Sequence, residues 1–200
     1  MSYNRKDAFH QRAKREGFRS RAAYKLEEIQ RTRRLLRKGQ RVLDLGCWPG
    51  GWLQVASSIV GERGRVVGID CAEVSPPFAE PQIETLVGDL GEAGTAAALL
   101  RALGGPAHVV LSDAAPKTTG VRATDRAREE ALLLAVSNLV PEVLAEQGDL
   151  LMKLLDCPEA QQVRESLRPR FESCKVFSVR ASRKGSAERY LLARGFRGAS

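Results

Sequence analysis

The sequence has 200 residues, 43% hydrophobic and 28% charged, a composition typical of one globular domain with a sizeable core. It has no apolar run of the ~18 residues needed to span a bilayer, and its N-terminus lacks the apolar segment of a secretory signal. The four cysteines form no C-x-x-C pair and the two histidines lie far apart, which argues against a structural zinc site. We therefore expect reduced cysteines, a cytoplasmic location, and neither a metal nor a membrane partner.

The positive charge is concentrated at the N-terminus. Residues 1–41 hold 14 basic and 4 acidic side chains, a net charge of +10, whereas the other 159 residues hold 18 basic and 20 acidic, a net of −2. Such a segment could be a solvated helix face, or it could bind an acidic membrane surface. The uneven distribution of charge between it and the rest of the chain favours a nucleic-acid partner. We expect residues 1–19, which are too polar to pack, to form a basic arm, and residues 20–200 to form a single domain.

Strands and helices alternate along the rest of the chain. Residues 20–36 are predicted to form a helix with Ser20 as its N-cap and an apolar stripe that includes Leu26 and Ile29. Further helices are predicted at 51–60, 95–104, 123–146 and 158–171, with Pro141 kinking or splitting the third of these. Strands are predicted at 41–46, 65–70, 84–89, 107–113, 148–154, 175–180 and 188–194.

This alternation predicts an α/β fold: a seven-stranded, mostly parallel sheet with helices on both faces. The last two strands have a short connection, which favours a hairpin, so one of them should run antiparallel. The sequence contains no internal repeat and no low-complexity tract.

The stretch VLDLGCWPGGW, residues 42–52, joins the first strand to a helix through a glycine-rich turn. Glycines at 46, 50 and 51 allow a sharp turn and a close approach to a ligand. The order of residues is not G-x-G-x-x-G, because Trp48 takes the place of the second glycine. The turn therefore predicts a cofactor site but argues against NAD or FAD.

Acidic side chains follow the strands at the same edge of the expected sheet. Asp44, Asp70, Asp89 and Asp113 belong to the ends of the first four strands, and Lys153 lies near the end of the fifth. One such acid is usually a turn residue, but four beside a glycine-rich turn indicate a ligand site at the carboxyl ends of the strands. Asp70 follows Gly50 by 20 residues, the spacing at which an acid accepts hydrogen bonds from ribose hydroxyls. The cofactor should therefore contain a ribose.

Seven stretches between Arg19 and Phe196 carry a family resemblance: SRAAYKLEEIQ, VLDLGCWPGGWLQV, GID, GDL, VVLSDAAPKTTG, LLMKL and SRKGSAERYLLA. Together they resemble the FtsJ-type family of S-adenosylmethionine-dependent RNA 2′-O-methyltransferases, and within it the branch that methylates a uridine ribose in bacterial large-subunit ribosomal RNA. The resemblance implies the Rossmann-like methyltransferase sheet, with the final hairpin supplying its antiparallel strand. Two residues depart from the family pattern: Trp48 replaces a small residue, and Lys117 stands where close relatives have Asn.

The resemblance also implies the functional residues. The catalytic tetrad of the family falls on Lys25, Asp113, Lys153 and Glu188. Its contacts to S-adenosylmethionine fall on Gly50, Trp52, Asp70, Asp89 and Asp113.

Lys153 is the central residue of the implied chemistry, because it interrupts an apolar strand and must find partners there. It would act either as the base that takes the ribose hydroxyl proton or as a charged group that holds the hydroxyl toward the methyl. Taken alone, Lys25 would be read as a solvated helix lysine, Glu188 as a strand-edge charge and Trp52 as core filling.

We expect an enzyme that uses S-adenosyl-L-methionine to methylate a ribose 2′-hydroxyl in large-subunit ribosomal RNA. The RNA would be presented within the large ribosomal subunit, and the enzyme would act as a monomer. A methyltransferase for transfer-RNA riboses, a non-catalytic RNA-binding assembly factor and, more weakly, a Rossmann-type oxidoreductase are the alternatives.

Overall fold

A sheet with helices on both faces forms the centre of the computed structural model, which describes residues 8–116, 119–154, 158–181 and 188–198. The strands are β1 (Arg41–Leu45), β2 (Arg65–Asp70), β3 (Ile83–Val87), β4 (Ala107–Ser112), β5 (Leu144–Leu154), β6 (Phe171–Phe177) and β7 (Arg189–Phe196). The helices are α1 (Ala8–Arg15), α2 (Ala23–Arg33), α3 (Gly51–Val60), α4 (Thr95–Leu103), α5 (Arg122–Val143) and α6 (Pro158–Leu167). In these residues no helix is long and apolar enough to cross a membrane.

The strand order is β3-β2-β1-β4-β5-β7-β6. Strands β1 to β5 are parallel, and β7 runs antiparallel to both of its neighbours, β5 and β6. This confirms the predicted α/β class, the seven-stranded, mostly parallel sheet and the antiparallel partner in the final hairpin.

Each face of the sheet is covered by its own hydrophobic core. Helices α4, α5 and α6 pack on one face through residues such as Leu99, Val136 and Val163. Helices α2 and α3 pack on the other face through residues such as Leu26 and Leu53. The near-continuous apolar sequence of the central strands follows from this arrangement, because a parallel strand covered on both faces has no solvent side.

The boundaries of α2 and α5 differ from the sequence-based expectation. Helix α2 begins after Ala22 without a side-chain cap, so Ser20 is not its N-cap. Helix α5 is not split: Pro141 lies in its last turn, where a missing backbone donor is tolerated more easily than at mid-helix. Strand β5 follows directly at Leu144, four residues earlier than expected, and contains an irregularity with Gln147 at a positive φ of 62°.

Strand β6 also begins four residues earlier than expected. Helix α6 ends at Leu167, and a single 3-10 turn, Arg168–Arg170, leads into β6 at Phe171. The Phe171 ring is buried against Phe196 of β7, with ring centroids 5.3 Å apart. This contact between distant parts of the chain overrides the helical pattern that local sequence suggests.

The expectation that residues 1–19 do not pack is wrong for the part of that segment whose side chains are described. Helix α1 places Ala13, only 2% exposed, against Tyr24 of α2 and Ala181. The Tyr24 hydroxyl donates a hydrogen bond of 2.8 Å to Glu16, and the Phe18 ring packs edge-on to Tyr24. The small side chain at position 13 allows one face of α1 to dock while its basic residues stay in solvent. Residues 1–7, with Arg5 and Lys6, lie outside the described residues.

Docking of α1 can be tested with the Ala13→Glu substitution. A carboxylate at this buried position lacks a partner, and burying it costs about 1–3 kcal/mol or more, so α1 should detach. Trypsin should then cleave after Arg15 several-fold faster than in the wild type. Gln11→Glu adds the same charge at an exposed position and is the matched control. Equal cleavage rates in the two variants would show that α1 is not held by this contact.

Candidate active site

Polar groups converge at the carboxyl edge of the parallel strands. β1 leads into the turn at Gly46, β2 ends at Asp70, and Asp113 follows β4. β4 and β5 are parallel neighbours in register, so Asp113 and Lys153 reach the edge side by side. This is the edge at which open α/β sheets bind ligands.

Lys25 is held by two carboxylates. Its Nζ lies 3.2 Å from Asp113 Oδ2 and 3.1 Å from Glu188 Oε2. The residue is only 6% exposed, so the interpretation of Lys25 as a solvated helix lysine is wrong. A buried ammonium group is stable only with such partners, and the two carboxylates supply them.

Lys153 shares Asp113 with Lys25. Its Nζ donates a 2.7 Å hydrogen bond to the main-chain oxygen of Asp113 and lies 3.4 Å from Oδ1 of the same residue. The structure thus brings together all four residues of the implied tetrad, Lys25, Asp113, Lys153 and Glu188. Two positive and two negative groups balance in charge, which limits the cost of burying them.

A cavity of about 120 Å³ opens beside Lys153. Lys153 and Glu188 line it together with apolar side chains that include Pro116, Leu133 and Met152. The amine of Lys153 therefore borders a space in which a small substrate group can lie.

Tyr190 belongs to the cluster and was not found by sequence reasoning. Its hydroxyl donates a 2.8 Å hydrogen bond to Asp113 Oδ1, and its ring is fully buried. Burial, followed by the nearby Asp113 carboxylate, raises the pKa of Tyr190 far above its ordinary value, so it stays a donor. The sequence does not reveal this role, because β7 is buried along most of its length and a tyrosine in such a strand is predicted to be a core residue.

The glycine-rich turn keeps side chains out of the space above β1. Gly50 has a positive φ of 110°, and a Cβ there would lie 2.7 Å from the Phe78 ring. Gly46 has φ 81° and packs against Ala114, leaving no room for a Cβ. Both glycines are therefore required by the left-handed backbone and by close protein neighbours. The predicted sharp turn is confirmed, and its contact with a ligand stays a prediction.

Asp70 ties this turn to β2. One of its oxygens accepts the backbone N–H of Trp48 at 3.0 Å, and the other accepts that of Ala72 at 2.9 Å. Each carboxylate oxygen keeps a second lone pair, so Asp70 can still accept ribose hydroxyls. Asp89 is exposed after β3 and accepts the backbone N–H of Gly91 at 2.8 Å.

Trp52 is a core residue by its side chain. It is 3% exposed, packs against Tyr190 with ring centroids 6.1 Å apart, and donates its indole N–H to Ala22 O at 2.8 Å. The interpretation of Trp52 as a core residue is therefore correct for its indole side chain. What Trp52 can offer a ligand is its backbone N–H in the first turn of α3, which has no partner within the helix.

Three buried polar atoms near this edge have no hydrogen-bond partner among the residues that the structure describes: Ser20 Oγ, Arg19 Nη1 and Asp44 Oδ2. The Ser20 hydroxyl lies against the first turn of α3, in the position that a Cβ on Gly51 would occupy. Asp44 is 1% exposed, and burial, together with the carboxylates of Asp113 and Asp70, raises its pKa well above the ordinary value. No sequence signal singled out Ser20 or Arg19 as site residues.

Part of the predicted family pattern falls on residues that the structure does not describe. The Lys117 departure lies outside the described residues, as does the segment 182–187 before Glu188. Within the described ranges, no group of three or more acidic, cysteine or histidine side chains is arranged to hold a metal.

Comparison with known proteins agrees with this geometry. The chain is 40% identical over 194 residues to the ribosomal RNA large subunit methyltransferase E of Methanothermobacter thermautotrophicus, covering 97% of this chain and 92% of that protein. It is 41% identical over 193 residues to the enzyme of the same name from Pseudomonas aeruginosa, covering 96% and 92% of the two chains.

Solved structures share the fold. A crystal structure described as a ribosomal RNA methyltransferase from Plasmodium falciparum superposes with a TM-score of 0.75 at 25% identity, covering 91% of this chain and all of that one. Aeropyrum pernix fibrillarin, solved with natively bound S-adenosyl-L-methionine, matches 80% of this chain and 68% of its own at a TM-score of 0.56 and 17% identity, which is a likeness of fold alone. The sequence model of one family, the FtsJ-like methyltransferases, matches residues 18–196, and the chain belongs to that family.

Proposed function

We propose that this methyltransferase transfers a methyl group from S-adenosyl-L-methionine to the 2′-hydroxyl of a uridine ribose in large-subunit (23S-type) ribosomal RNA. The observation that carries the proposal is the Lys25–Asp113–Lys153–Glu188 cluster beside a cavity at the carboxyl edge of the sheet. The names of the relatives from M. thermautotrophicus and P. aeruginosa support ribosomal RNA of the large subunit as the substrate.

The residues around the glycine-rich turn fit the cofactor. Ser20 Oγ and the free N–H groups at the start of α3 suit its carboxylate, since a helix N-terminus favours an anion. The Asp70 carboxylate would accept hydrogen bonds from its ribose hydroxyls, and Asp89 would contact its adenine. Gly50 and Trp52 would contribute through their backbones.

Asp44 supports a cofactor that carries positive charge. Its carboxylate is buried and one oxygen lacks a partner, with two further carboxylates, Asp70 and Asp113, nearby. S-adenosylmethionine supplies an electrophilic methyl on a sulfonium and also bears an ammonium group. A cationic group bound nearby would favour the charged form of Asp44 and be attracted to it, whereas an anionic ligand would not.

Lys153 is the residue that acts on the acceptor hydroxyl. Asp113 fixes its Nζ through a main-chain and a side-chain oxygen, and its position on the cavity wall directs the amine toward bound substrate. The amine either takes the hydroxyl proton or, while charged, orients the hydroxyl for in-line attack. Lys25 and Tyr190 hold the Asp113 carboxylate in place, which makes them positioning residues. Positioning of this kind can supply roughly 7–11 kcal/mol of the barrier reduction.

The RNA-facing surface would be the basic N-terminal segment. Its exposed side chains lie on α1 and on α2 with the residues that follow it: Arg12, Lys14, Arg15, Arg31, Arg33, Arg34, Arg37 and Lys38. Because α2 also carries Lys25, phosphate contacts here would guide RNA toward the cluster. A monomeric state, a cytoplasmic location and presentation within the assembled large subunit stay predictions.

The site of methylation can be tested by alkaline cleavage. A 2′-O-methyl group removes the hydroxyl that attacks the neighbouring phosphate, so large-subunit RNA treated with enzyme and cofactor should gain one alkali-resistant linkage. Transfer RNA treated in parallel should gain none. A gain of a methyl's mass with every linkage still cleaved would mean base methylation, and resistance in transfer RNA alone would favour the transfer-RNA alternative.

Lys153→Met tests the catalytic role, because methionine keeps an apolar stem of similar length and removes the amine. We expect the single-turnover methylation rate at saturating cofactor to fall at least 10²-fold, the scale of a lost acid–base group, while calorimetry shows cofactor affinity within a few-fold of wild type. Lys175→Ala, on exposed β6, is the control and should keep the rate. A rate for Lys153→Met within a few-fold of wild type would remove Lys153 from the mechanism.

The Asp44→Asn substitution tests, through the pH dependence of stability, whether the buried Asp44 carboxylate lacks a partner. A carboxyl whose pKa is raised by folding contributes stability that is fully present below the unfolded value of 3.8 and is lost as pH rises through the folded value. Without cofactor, the unfolding free energy of the variant should therefore match the wild type at acid pH. It should exceed the wild type by on the order of 2 kcal/mol at about pH 7.

Asp125→Asn is a control for which the expected change in the free energy of unfolding has the opposite sign. Hydrogen bonds from Thr119 lower the Asp125 pKa, so this variant should be less stable than wild type at neutral pH, and the difference should disappear at acid pH. Thermal unfolding from about pH 2 to about pH 8 measures both variants, because the range must extend below the unfolded pKa of 3.8 that both carboxyl groups share. If Asp44→Asn is less stable than wild type across this range, the Asp44 charge has a partner.

A further inference from the structure

Trp48 is a large apolar side chain that folding leaves in solvent. It is 58% exposed, although its neighbour Cys47 and the turn residue Gly50 are buried. With the part of the chain that the structure describes, its indole forms no ring contact and no side-chain hydrogen bond. Packing of the domain therefore does not explain a tryptophan at this position.

The backbone position of Trp48 shows on which side of the turn its indole is attached. Its N–H donates to Asp70 Oδ2 at 3.0 Å, so the residue lies on the β2 side of the turn after β1. Asp113, which follows β4, and Lys153, on β5, lie on the opposite side of β1, at strand intervals of about 4.8 Å. The indole is thus attached beside the ribose-binding carboxylate and away from the methyl-acceptor side.

We propose that the Trp48 indole packs on the adenosine part of the bound cofactor and contributes to its affinity and to its selectivity for a purine nucleoside. The inference rests on the proposed function, because it uses Asp70 as the ribose acceptor. An indole offers an apolar, electron-rich face to a purine or to the ribose edge, and such stacking is worth about a factor of ten in binding for a base on an aromatic residue. Binding would also cover the apolar surface that the free protein exposes.

Because the chain has two tryptophans, packing of the cofactor on Trp48 can be followed by intrinsic tryptophan fluorescence, without an added label. Trp52 is buried and already donates its indole N–H, so its emission should change little, whereas Trp48 is in solvent. Titration with S-adenosylhomocysteine or with adenosine should change the wild-type emission in a saturable way. Homocysteine should not. The Trp48→Phe protein, which reports Trp52 alone, should show no such change.

Calorimetry gives the matching affinities. Trp48→Ala should bind S-adenosylhomocysteine roughly tenfold more weakly, and Trp48→Phe within about threefold of wild type, because a phenyl ring keeps part of the stacking surface. Val176→Ala, a change at an exposed apolar position on β6, should bind as wild type. Because Trp48 is exposed, circular dichroism and the melting temperature should be unchanged in both Trp48 variants.

Four outcomes would overturn the proposal. Wild-type affinity in Trp48→Ala, or an unchanged Trp48 emission while calorimetry shows S-adenosylhomocysteine binding, removes Trp48 from the cofactor site and leaves the proposed function intact. An emission change with single-stranded RNA and none with S-adenosylhomocysteine places Trp48 on the acceptor side. If wild-type protein binds no S-adenosylhomocysteine, the proposed function fails, and this inference fails with it.

Discussion

The Asp113 carboxyl group is the point to which three other elements of the fold are bound. Lys25 comes from α2, Lys153 from β5 and Tyr190 from β7, and each places a nitrogen or a hydroxyl within 3.4 Å of this one residue. The main-chain oxygen of Asp113 binds Lys153 as well. A partly buried carboxylate with this many donors is held in one orientation, which ties together the helix and the strands that supply them.

Charge divides the molecule into two regions with different tasks. The basic segment up to residue 41 is arranged mainly on exposed positions of α1 and α2, whereas Asp44, Asp70 and Asp113 lie at or near the buried edge of the sheet. The first region is suited to attract a polyanion, and the proposed function assigns the cofactor to the second. Lys25 lies at the junction, where its charge is neutralised by Asp113 and Glu188.

The sequence was sufficient to predict the sheet and its strand-end acids, because these depend on local apolar patterning. The family resemblance named the four residues that the structure brings together, and their catalytic role stays a prediction. The sequence did not reveal Tyr190, whose hydroxyl matters only because β7 lies beside β5, nor Ser20, which looked like a helix cap. The start of β6 at Phe171 and the docking of Ala13 were missed for the same reason. Each depends on a contact with a distant segment, and local propensity carries no information about such contacts.

The antiparallel position of β7 has a consequence for how the enzyme is made. β7 lies between β5 and β6, so until it is inserted both of these strands have an unpaired edge. During synthesis the N-terminal segments leave the ribosome first and begin to fold, and Lys25 is present from an early stage. Tyr190 and Glu188 arrive only with the final strand, so their contacts with Asp113 and Lys25, which span long sequence separations, form late. A partly synthesised chain therefore displays its basic N-terminal surface before it can assemble the Lys25–Asp113–Lys153–Glu188 cluster.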